Sequence, residues 1–402
     1  MRLRRTTAAL TALLAACSSP AGPTTTTTVA TTTTTATTTT ATTTTTTRPR
    51  VAINVTIEGH PDAEEVVDAF YSWIGDRSLP TPDAPIGLID HVEVVEPATD
   101  LALPGVLYTA DVEGGRVGVA TIGDDVVLLA DEGSGWQVVG AHLAGFGLEP
   151  WYGPPVRHVL ILGTDARPGE GQQLYRADSI HIVSSNLAAR AGSIVGIPRD
   201  TLVTTSYGRD KFTHVNATSE RHTDEMLDIA RDLTGLPVEG YFITGFLGFT
   251  RLVDDFGGVI VDVPFAMAEE LSQAYLSKGI QRLWGANALG FSRNRHINGG
   301  DFTRSYHQGV VMLAALNGVL ERDVTTLPEL VRILLARAWT DLSPGQVLTL
   351  AAVAFEIDPG NVGNVVLPGE IGLVSGASVV ILDEVGTDAI FADVADGVID
   401  EG

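Results

Sequence analysis

From Arg157 onward the chain repeats one pattern: a short apolar run, a polar turn, then a stretch with helical spacing. VRHVLILGTDAR, SIHIVSSNL, AGSIVGIPRD and GGVIVDVPF read as strands, whereas Thr223–Leu233, Phe246–Phe256, GANALGFSRNRH and TRSYHQGVVMLAALNGVL read as helices or helix-loop pieces. Strand-like runs alternating with 3.6-period segments bury their apolar faces only by layering helices on a sheet. The expected fold class is therefore α/β, with a principal domain over 151–322. LSPGQVLTLAAVAFEI, NVGNVVLP and SVVIL keep the same style, so 323–402 is expected to be a C-terminal extension of that domain.

The region 51–150 has a different texture and is expected to form a small α+β accessory domain. His60-Pro61-Asp62 leads into AEEVVDAFYSWIGD, with Val66, Val67, Phe70 and Trp73 at helical spacing. GVLYTADV, GRVGVATI, DVVLLAD and GWQVVGAHL follow as strand-like runs between Gly and Asp turns. No catalytic constellation stands out there.

Upstream, MRLRR, a short apolar stretch and small residues before Cys17 form a secretory signal over 1–17. That stretch is about half the ~20 residues a bilayer-spanning helix needs. Leu14-Ala15-Ala16-Cys17 resembles the bacterial lipobox, in which the cysteine is acylated, so Cys17 is the expected lipidation site. Residues 18–50 are dominated by a threonine tract that has nothing to bury. Between Thr24 and Thr47, at ~3.3 Å per residue, it reaches about 80 Å. The expectation is a lipoprotein tethered to the outer face of a bacterial cell membrane, extracytoplasmic, with the lipid as anchor.

Charge narrows the function. Asp and Glu total 49 against 25 Lys and Arg, a net −24. That balance argues against a general nucleic-acid binder, which needs a basic face to release counterions. The single cysteine excludes a disulfide framework and multi-cysteine metal sites. Only Lys211 and Lys278 are lysines, and 15 of the 25 basic residues fall between Arg157 and Arg304.

Those cations come in five clusters, most of them at strand ends, where open α/β sheets bind ligands. They are Gly163-Thr164-Asp165-Ala166-Arg167; Arg176-Ala177-Asp178-Ser179; Ile197-Pro198-Arg199-Asp200; Lys211 with His214; and Phe291-Ser292-Arg293-Asn294-Arg295-His296, followed by Asp301, Arg304 and Gln308. Guanidinium forks match phosphate or carboxylate oxygens and stay charged. Asp165 and Asp178 are placed to hold one Mg²⁺, which typically takes one or two carboxylates plus substrate phosphates. Arginines, two carboxylates and a metal together describe a diphosphate site. Singly, each piece has a plainer reading. Arg199 can pair with a neighbouring carboxylate, Arg293 and Arg295 can form a solvated helix face, and Asp165 can cap a helix. His214, His296 and His307 can be hydrogen-bonded fillers.

In order, LGTDAR, RADSI, SIVGIPRDTLV, GRDKFTH, LVDDFGGVIVDVP, LWGANALGFSRNRH and DFTRSYHQ closely resemble the LytR-CpsA-Psr family of bacterial cell-wall enzymes, over about Val159 to Leu320 with a tail toward Ala395. The resemblance implies an α-β-α layered domain with a central mixed sheet whose apolar interior houses a prenyl chain. LVDDFGGVIVDVPF and VVMLAALNGVL are the segments that could line it. It implies a phosphotransferase that moves a glycopolymer from a polyprenyl-diphosphate carrier onto peptidoglycan through a phosphodiester link, with Mg²⁺ as cofactor.

By the same resemblance, Asp165 and Asp178 would bind the metal, and Arg199, Arg293 and Arg295 would grip the diphosphate. Arg167, Arg176, Lys211, Asp301, Arg304 and Gln308 would complete the polar wall, with Asp200 or Asp165 assisting deprotonation of the acceptor. The chain departs from the usual pattern at Thr213, Phe291, His307 and Gly309. A polyprenyl-diphosphate phosphatase and a non-catalytic wall-binding lipoprotein are the alternatives. G-x-S-x-G, H-E-x-x-H, Walker A and G-x-G-x-x-G signatures are absent from this sequence.

Overall fold

The structure, a computed structural model, describes residues 50–399 apart from 168, 172, 173 and 296. Cys17, the threonine tract and His296 lie outside the described residues.

The chain first builds a five-stranded sheet. Strand β1 (Ile53–Ile57) alternates buried and exposed residues, and helix α1 (Pro61–Gly75) follows, with proline in its first turn and Asp62 and Glu64 near its N-terminus. Helix α2 (Ile86–Val92) precedes β2 (Leu101–Val112), β3 (Gly115–Ile122), β4 (Asp125–Asp131) and β5 (Gln137–His142). The strands lie in chain order, β1 parallel to β2 and the rest antiparallel. Val67, Phe70, Tyr71 and Ile74 of α1 pack into the core beside this sheet.

A second sheet carries the chemistry. It uses β6 (Val156–Thr164), β7 (Ala177–Asn186) and β8 (Ala191–Gly196), then a small antiparallel pair, β9 (Leu202–Thr205) and β10 (Gly208–Lys211), leads into helices α3 (Phe212–Thr218) and α4 (Thr223–Thr234). After β11 (Tyr241–Thr244) and α5 (Phe246–Asp255), two hairpins form: β12 (Val259–Val263) with β15 (Gly279–Leu283), enclosing β13 (Met267–Glu269) with β14 (Ala274–Leu276). Helices α6 (Gly285–Arg293), α7 (Asp301–Leu320) and α8 (Leu327–Leu335), the short strand β16 (Trp339–Thr340) and α9 (Pro344–Ala354) follow. The chain ends in β17 (Val362–Val366), the β18 (Gly369–Val374)–β19 (Ala377–Leu382) hairpin and α10 (Glu384–Val394).

The second sheet is mixed, in the order β16-β11-β6-β7-β8-β17. Strands β6, β8, β11 and β17 run one way, and β7 runs against its neighbours. The C-terminal ends of β6, β8 and β11 and the start of β7 therefore share one edge, which gathers segments far apart in sequence.

Alternation along the strands divides the side chains between two helical layers. Leu160, Leu162, Ile180, Ile182 and Val195 pack with Phe212, Met226, Ile229, Phe391 and Val394 of α3, α4 and α10. Val159, Ile161, Val183 and Ile194 point the other way, toward α7, α8 and α9. The α/β layering is as the alternation of the sequence implied, and the α-β-α order with a central mixed sheet is as the family resemblance implied. Helices α8 and α9 also cover the first sheet, because Val117, Val119, Leu128, Leu327, Val331, Val347 and Leu348 form one core cluster.

Arg157 bolts these parts together. Its buried guanidinium donates to Glu239 (2.8 and 2.6 Å), the Tyr152 carbonyl (3.2 Å) and Thr349 Oγ1 (3.0 Å), joining β6 to α9 and to the segment before β6. Removing one member of such a pair strands its buried partners. Arg157→Ala is expected to lower the unfolding free energy by about 3 kcal/mol, read from denaturant titration with an unchanged m-value.

Candidate functional site

Three turns at the shared sheet edge, the α6–α7 turn, the start of α7 and the β13–β14 hairpin converge on one cavity of ≈ 350 Å³. It is lined by Asp165, Arg167, Arg176, Asp178, Arg199, Arg293, Arg295, Arg304 and Gln308, with Phe246, Glu269, Leu271 and Ser272. Backbone hydrogen bonds fix the turns that carry these groups. The Asp165 amide donates to the Arg176 carbonyl (2.9 Å), which closes the loop between β6 and β7. The Arg199 carbonyl accepts from the Thr213 amide (2.8 Å), and the Thr201 carbonyl from Phe212 (2.8 Å). The lysine motif thus holds the PRD turn through its main chain. Asp301, Arg304 and Gln308 recur at spacings of three and four, one face of α7.

The side chains form an ordered charge pattern. Arg176 donates to Asp165 Oδ2 through Nε (3.0 Å) and Nη2 (2.5 Å), and Arg199 Nη1 donates to Asp178 Oδ1 (2.5 Å). Arg304, buried, pairs with Asp301. Gln308 Nε2 donates to the carbonyls of Ser292 (3.2 Å) and Asp178 (3.4 Å), tying α7 to α6 and β7. Arg293 lies over the Phe246 ring, its Cζ 4.5 Å from the centroid. Among the described residues, Arg167, Arg293 and Arg295 have no carboxylate partner. Six arginines face three carboxylates across the cavity, a local surplus of positive charge in a chain of net −24.

Burial sharpens that surplus. It pulls the Arg304 guanidinium below its ordinary value, and Arg199 and Arg295 push the same way against Asp301 and Asp178. Burial weighs against charge on Arg199 too, but Asp178, Asp200 and Asp301 outweigh it and hold its pKa above the ordinary value. Asp165 Oδ1, Arg199 Nε, Asp301 Oδ2, Arg304 Nε and the hydroxyls of Ser272 and Ser292 are buried without hydrogen-bond partners. An unmade buried hydrogen bond costs about 1–3 kcal/mol. Of these residues, Asp165, Arg199, Arg304 and Ser272 line the cavity, a concentration of unsatisfied donors and acceptors suited to polar ligands.

Directly beneath lies an apolar cavity of ≈ 190 Å³, sharing Asp178, Phe246, Arg293 and Gln308 with the charged one. Ile161, Phe249, Leu252, Phe256, Val311 and Met312 are among its walls. A further apolar space of ≈ 260 Å³ shares Ile161 and Met312 and continues between the sheet and α7–α9, with Arg157 among its lining residues. The segments expected to line an apolar interior do contribute, through Leu252, Val253, Phe256, Val259, Val311, Met312 and Ala315.

Not every expected residue reaches the cavity wall: Asp200, Lys211 and Asp301 are not among its lining residues, and Asp301 acts through its pair with Arg304. Lys211 Nζ instead pairs with Asp200 (3.2 Å), and Asp200 lies 3.8 Å from Arg199 Nε, so this pair braces Arg199 from outside. His214 pairs with Asp210. His307 is buried and stacks on Phe291, with centroids 4.4 Å apart. Phe246, Glu269, Leu271 and Ser272 were not singled out by sequence. Glu269, Leu271 and Ser272 belong to a hairpin whose short strands carry no charge cluster.

Comparison with known proteins places these features. A family model described as LytR_cpsA_psr family matches residues 156–395. The cell wall biosynthesis protein LcpA of Corynebacterium glutamicum is 30% identical over 212 residues, 42% of this chain and 41% of its own length. The polyisoprenyl-teichoic acid–peptidoglycan teichoic acid transferase TagV of Bacillus subtilis is 29% identical over 167 residues, 40% of this chain and 42% of that protein. The chain thus spans less than half the length of these two relatives. In structure it resembles B. subtilis TagV (TM-score 0.52, 20% identity, 59% of this chain and 94% of that one). It also resembles TagT bound to LI-WTA (TM-score 0.51, 21% identity, 61% and 92%). At that identity the likeness establishes the fold.

A hydrogen-bond chain beside the cavity gives a pH signature. His181 Nε2 lies 3.0 Å from the Ser305 carbonyl, which only accepts, so Nε2 donates and Nδ1 accepts from Ser179 Oγ (3.1 Å). A β-carbon on Gly196 would sit 2.3 Å from Ser305 Oγ and 3.2 Å from His181 Nε2, so any larger residue there would have to displace this chain. Burial pulls both His181 and His307 down to about 4, and burial also lowers His158. Unfolded histidine titrates near about 6.5, so between about pH 6.5 and 4 the unfolded chain binds more protons and acidification destabilises the fold. His181 alone is expected to remove on the order of 2 kcal/mol between pH 7 and 5. His181→Asn should flatten, without abolishing, the slope of unfolding free energy against pH.

Proposed function

The chain belongs to the LytR-CpsA-Psr family, and on that premise we propose that it transfers a glycopolymer from a polyprenyl-diphosphate carrier to a hydroxyl of peptidoglycan, forming a phosphodiester. The observation that carries this reading is the confluence of the two cavities. A mouth of six arginines adjoins an apolar chamber, and Asp178, Phe246, Arg293 and Gln308 line both. A lipid-linked diphosphate has the same division: two adjacent phosphates, then a hydrocarbon chain. The arginine pattern suits stabilisation of charge on the bridging and leaving oxygens as the diphosphate bond breaks. Arg199 is held charged by the carboxylates around it, and Arg293 and Arg295, without carboxylate partners among the described residues, are available to the phosphates.

Mg²⁺ fits the same wall. Asp165 and Asp178 stand on neighbouring strand ends, and Asp165 Oδ1 is buried with no hydrogen-bond partner, an oxygen suited to a hard cation. When bound, the metal would neutralise charge developing on the phosphate oxygens. Arg176 and Arg199, each on one of these carboxylates, would keep the two oriented for it. Cys17 as lipid anchor and the threonine tract as tether complete the proposal and place the enzyme where a membrane-borne donor meets the wall.

With a labelled polyprenyl-diphosphate glycan and peptidoglycan oligomers, Arg199→Ala and Arg293→Ala are each expected to reduce transfer by about 10² or more. Unchanged turnover removes the roles given to them. Equal release of polyprenyl phosphate with and without oligomers, and no linked product, would favour hydrolysis. Chelation of divalent ions is expected to stop transfer and added Mg²⁺ to restore it; full activity in chelator overturns the metal assignment.

A further inference from the structure

Three lining residues come from the β13–β14 hairpin, Glu269, Leu271 and Ser272, and neither the strand-end clusters nor the diphosphate grip uses them. We propose that Glu269 and Ser272 form the acceptor subsite, which binds the hydroxyl-bearing sugar that receives the transferred group. This rests on the donor reading given above and adds to it the wall on which the second substrate sits.

Charge divides the cavity between the two substrates. Arginines at the sheet edge and on α6 and α7 suit the anionic donor. A carboxylate repels phosphate, yet it is a strong acceptor for sugar hydroxyls. Glu269 is set in place before any ligand arrives, because its carboxylate accepts the backbone amides of Leu271 (3.0 Å) and Ser272 (2.5 Å). Ser272 is only 4% exposed, and its hydroxyl has no hydrogen-bond partner although it belongs to the cavity wall. A buried hydroxyl left unsatisfied is costly, and a polyhydroxylated ligand would satisfy it. Leu271, at the tip, is 71% exposed and gives the sugar an apolar edge at the rim.

The hairpin's position is tied to the donor wall. Gln273 adopts φ +61, a left-handed conformation rare for a residue with a side chain, of the kind that clusters at functional sites. Its carbonyl presses on Gly290 of α6, where a β-carbon would lie 2.9 Å from that oxygen. Helix α6 ends in Arg293, which lines both the charged and the apolar cavity, so the hairpin and that arginine are registered to each other through one glycine contact.

The test is two-substrate kinetics of the full chain, with a labelled polyprenyl-diphosphate glycan as donor and a muramic-acid-containing peptidoglycan tetrasaccharide as acceptor. Ser272→Ala removes only the hydroxyl, and Glu269→Gln removes the charge. Each is expected to raise the acceptor KM by at least about fivefold while the donor KM moves by less than about twofold, the scale of one lost hydrogen bond to a ligand. An acceptor KM unchanged in both variants overturns the subsite, and so does a parallel rise in the donor KM. Arg293→Ala serves as the control: full transfer by that variant overturns the donor reading and the subsite with it, whereas loss of transfer leaves the acceptor result to be read on its own.

Discussion

Mutual repulsion among guanidinium groups governs how this molecule is built. Two such charges about 6 Å apart at an effective dielectric of about 20 repel by roughly 3 kcal/mol, and six line one cavity. The fold contains the repulsion in two ways. Asp165, Asp178 and Asp301 each take one arginine, which leaves Arg176, Arg199 and Arg304 neutralised in pairs. The pair of Lys211 and Asp200 stands behind Arg199 and adds a carboxylate without adding bulk to the cavity. What remains is the charge on Arg167, Arg293 and Arg295, and a bound anion would relieve it. The acidity of the rest of the chain serves the same end, because a net −24 lowers the cost of keeping a small cationic site.

The sheet makes this concentration possible. Antiparallel β7 between β6 and β8 brings the end of one strand, the start of the next and the end of the third to a single edge within about 15 Å, given strand spacings near 4.8 Å. The same alternation that sends Leu160 and Leu162 toward α3 and α4 sends Val159 and Ile161 toward α7, where the apolar space lies. The charged mouth and the greasy interior are therefore consequences of one sheet, the first of where its strands end and the second of how they pleat.

Much of this was legible in the sequence, for identifiable reasons. Alternation of strand-like and helical periods showed the α/β layering, because burial on both sheet faces leaves near-continuous apolar runs such as VRHVLILG. The arginine clusters were visible because most of them stand at the turns that end or begin strands. Sequence could not show that Lys211 serves Asp200 instead of the cavity, since β9 and β10 turn its side chain away from the edge. Nor could it show Glu269 and Ser272, which enter the wall from a hairpin closed by a strained Gln273. Their signal is geometric: a long-range approach between that hairpin and Gly290. The sharing of α8 and α9 between both sheets was hidden for a related reason. An apolar helix such as Pro344–Ala354 shows that it is buried, but not against how many partners.

That sharing bears on how the cavity keeps its shape. Leu334, Val347, Leu350 and Ala351 of α8 and α9 line the deep apolar space, while Val331, Val347 and Leu348 belong to the cluster that includes Val117 and Val119 of the first sheet. An apolar chamber of this size forfeits packing on its inner surface and tends to collapse unless its walls are held from outside. The first sheet supplies that hold. It presses α8 and α9 from the side opposite the chamber, and Arg157 locks Thr349 of α9 to the first residues of β6. The N-terminal sheet therefore stabilises the walls of the apolar chamber as much as it covers a surface. Substitutions in its α9-facing strands, which carry none of the arginines of the charged cavity, would then be felt as changes in the volume available to an apolar ligand.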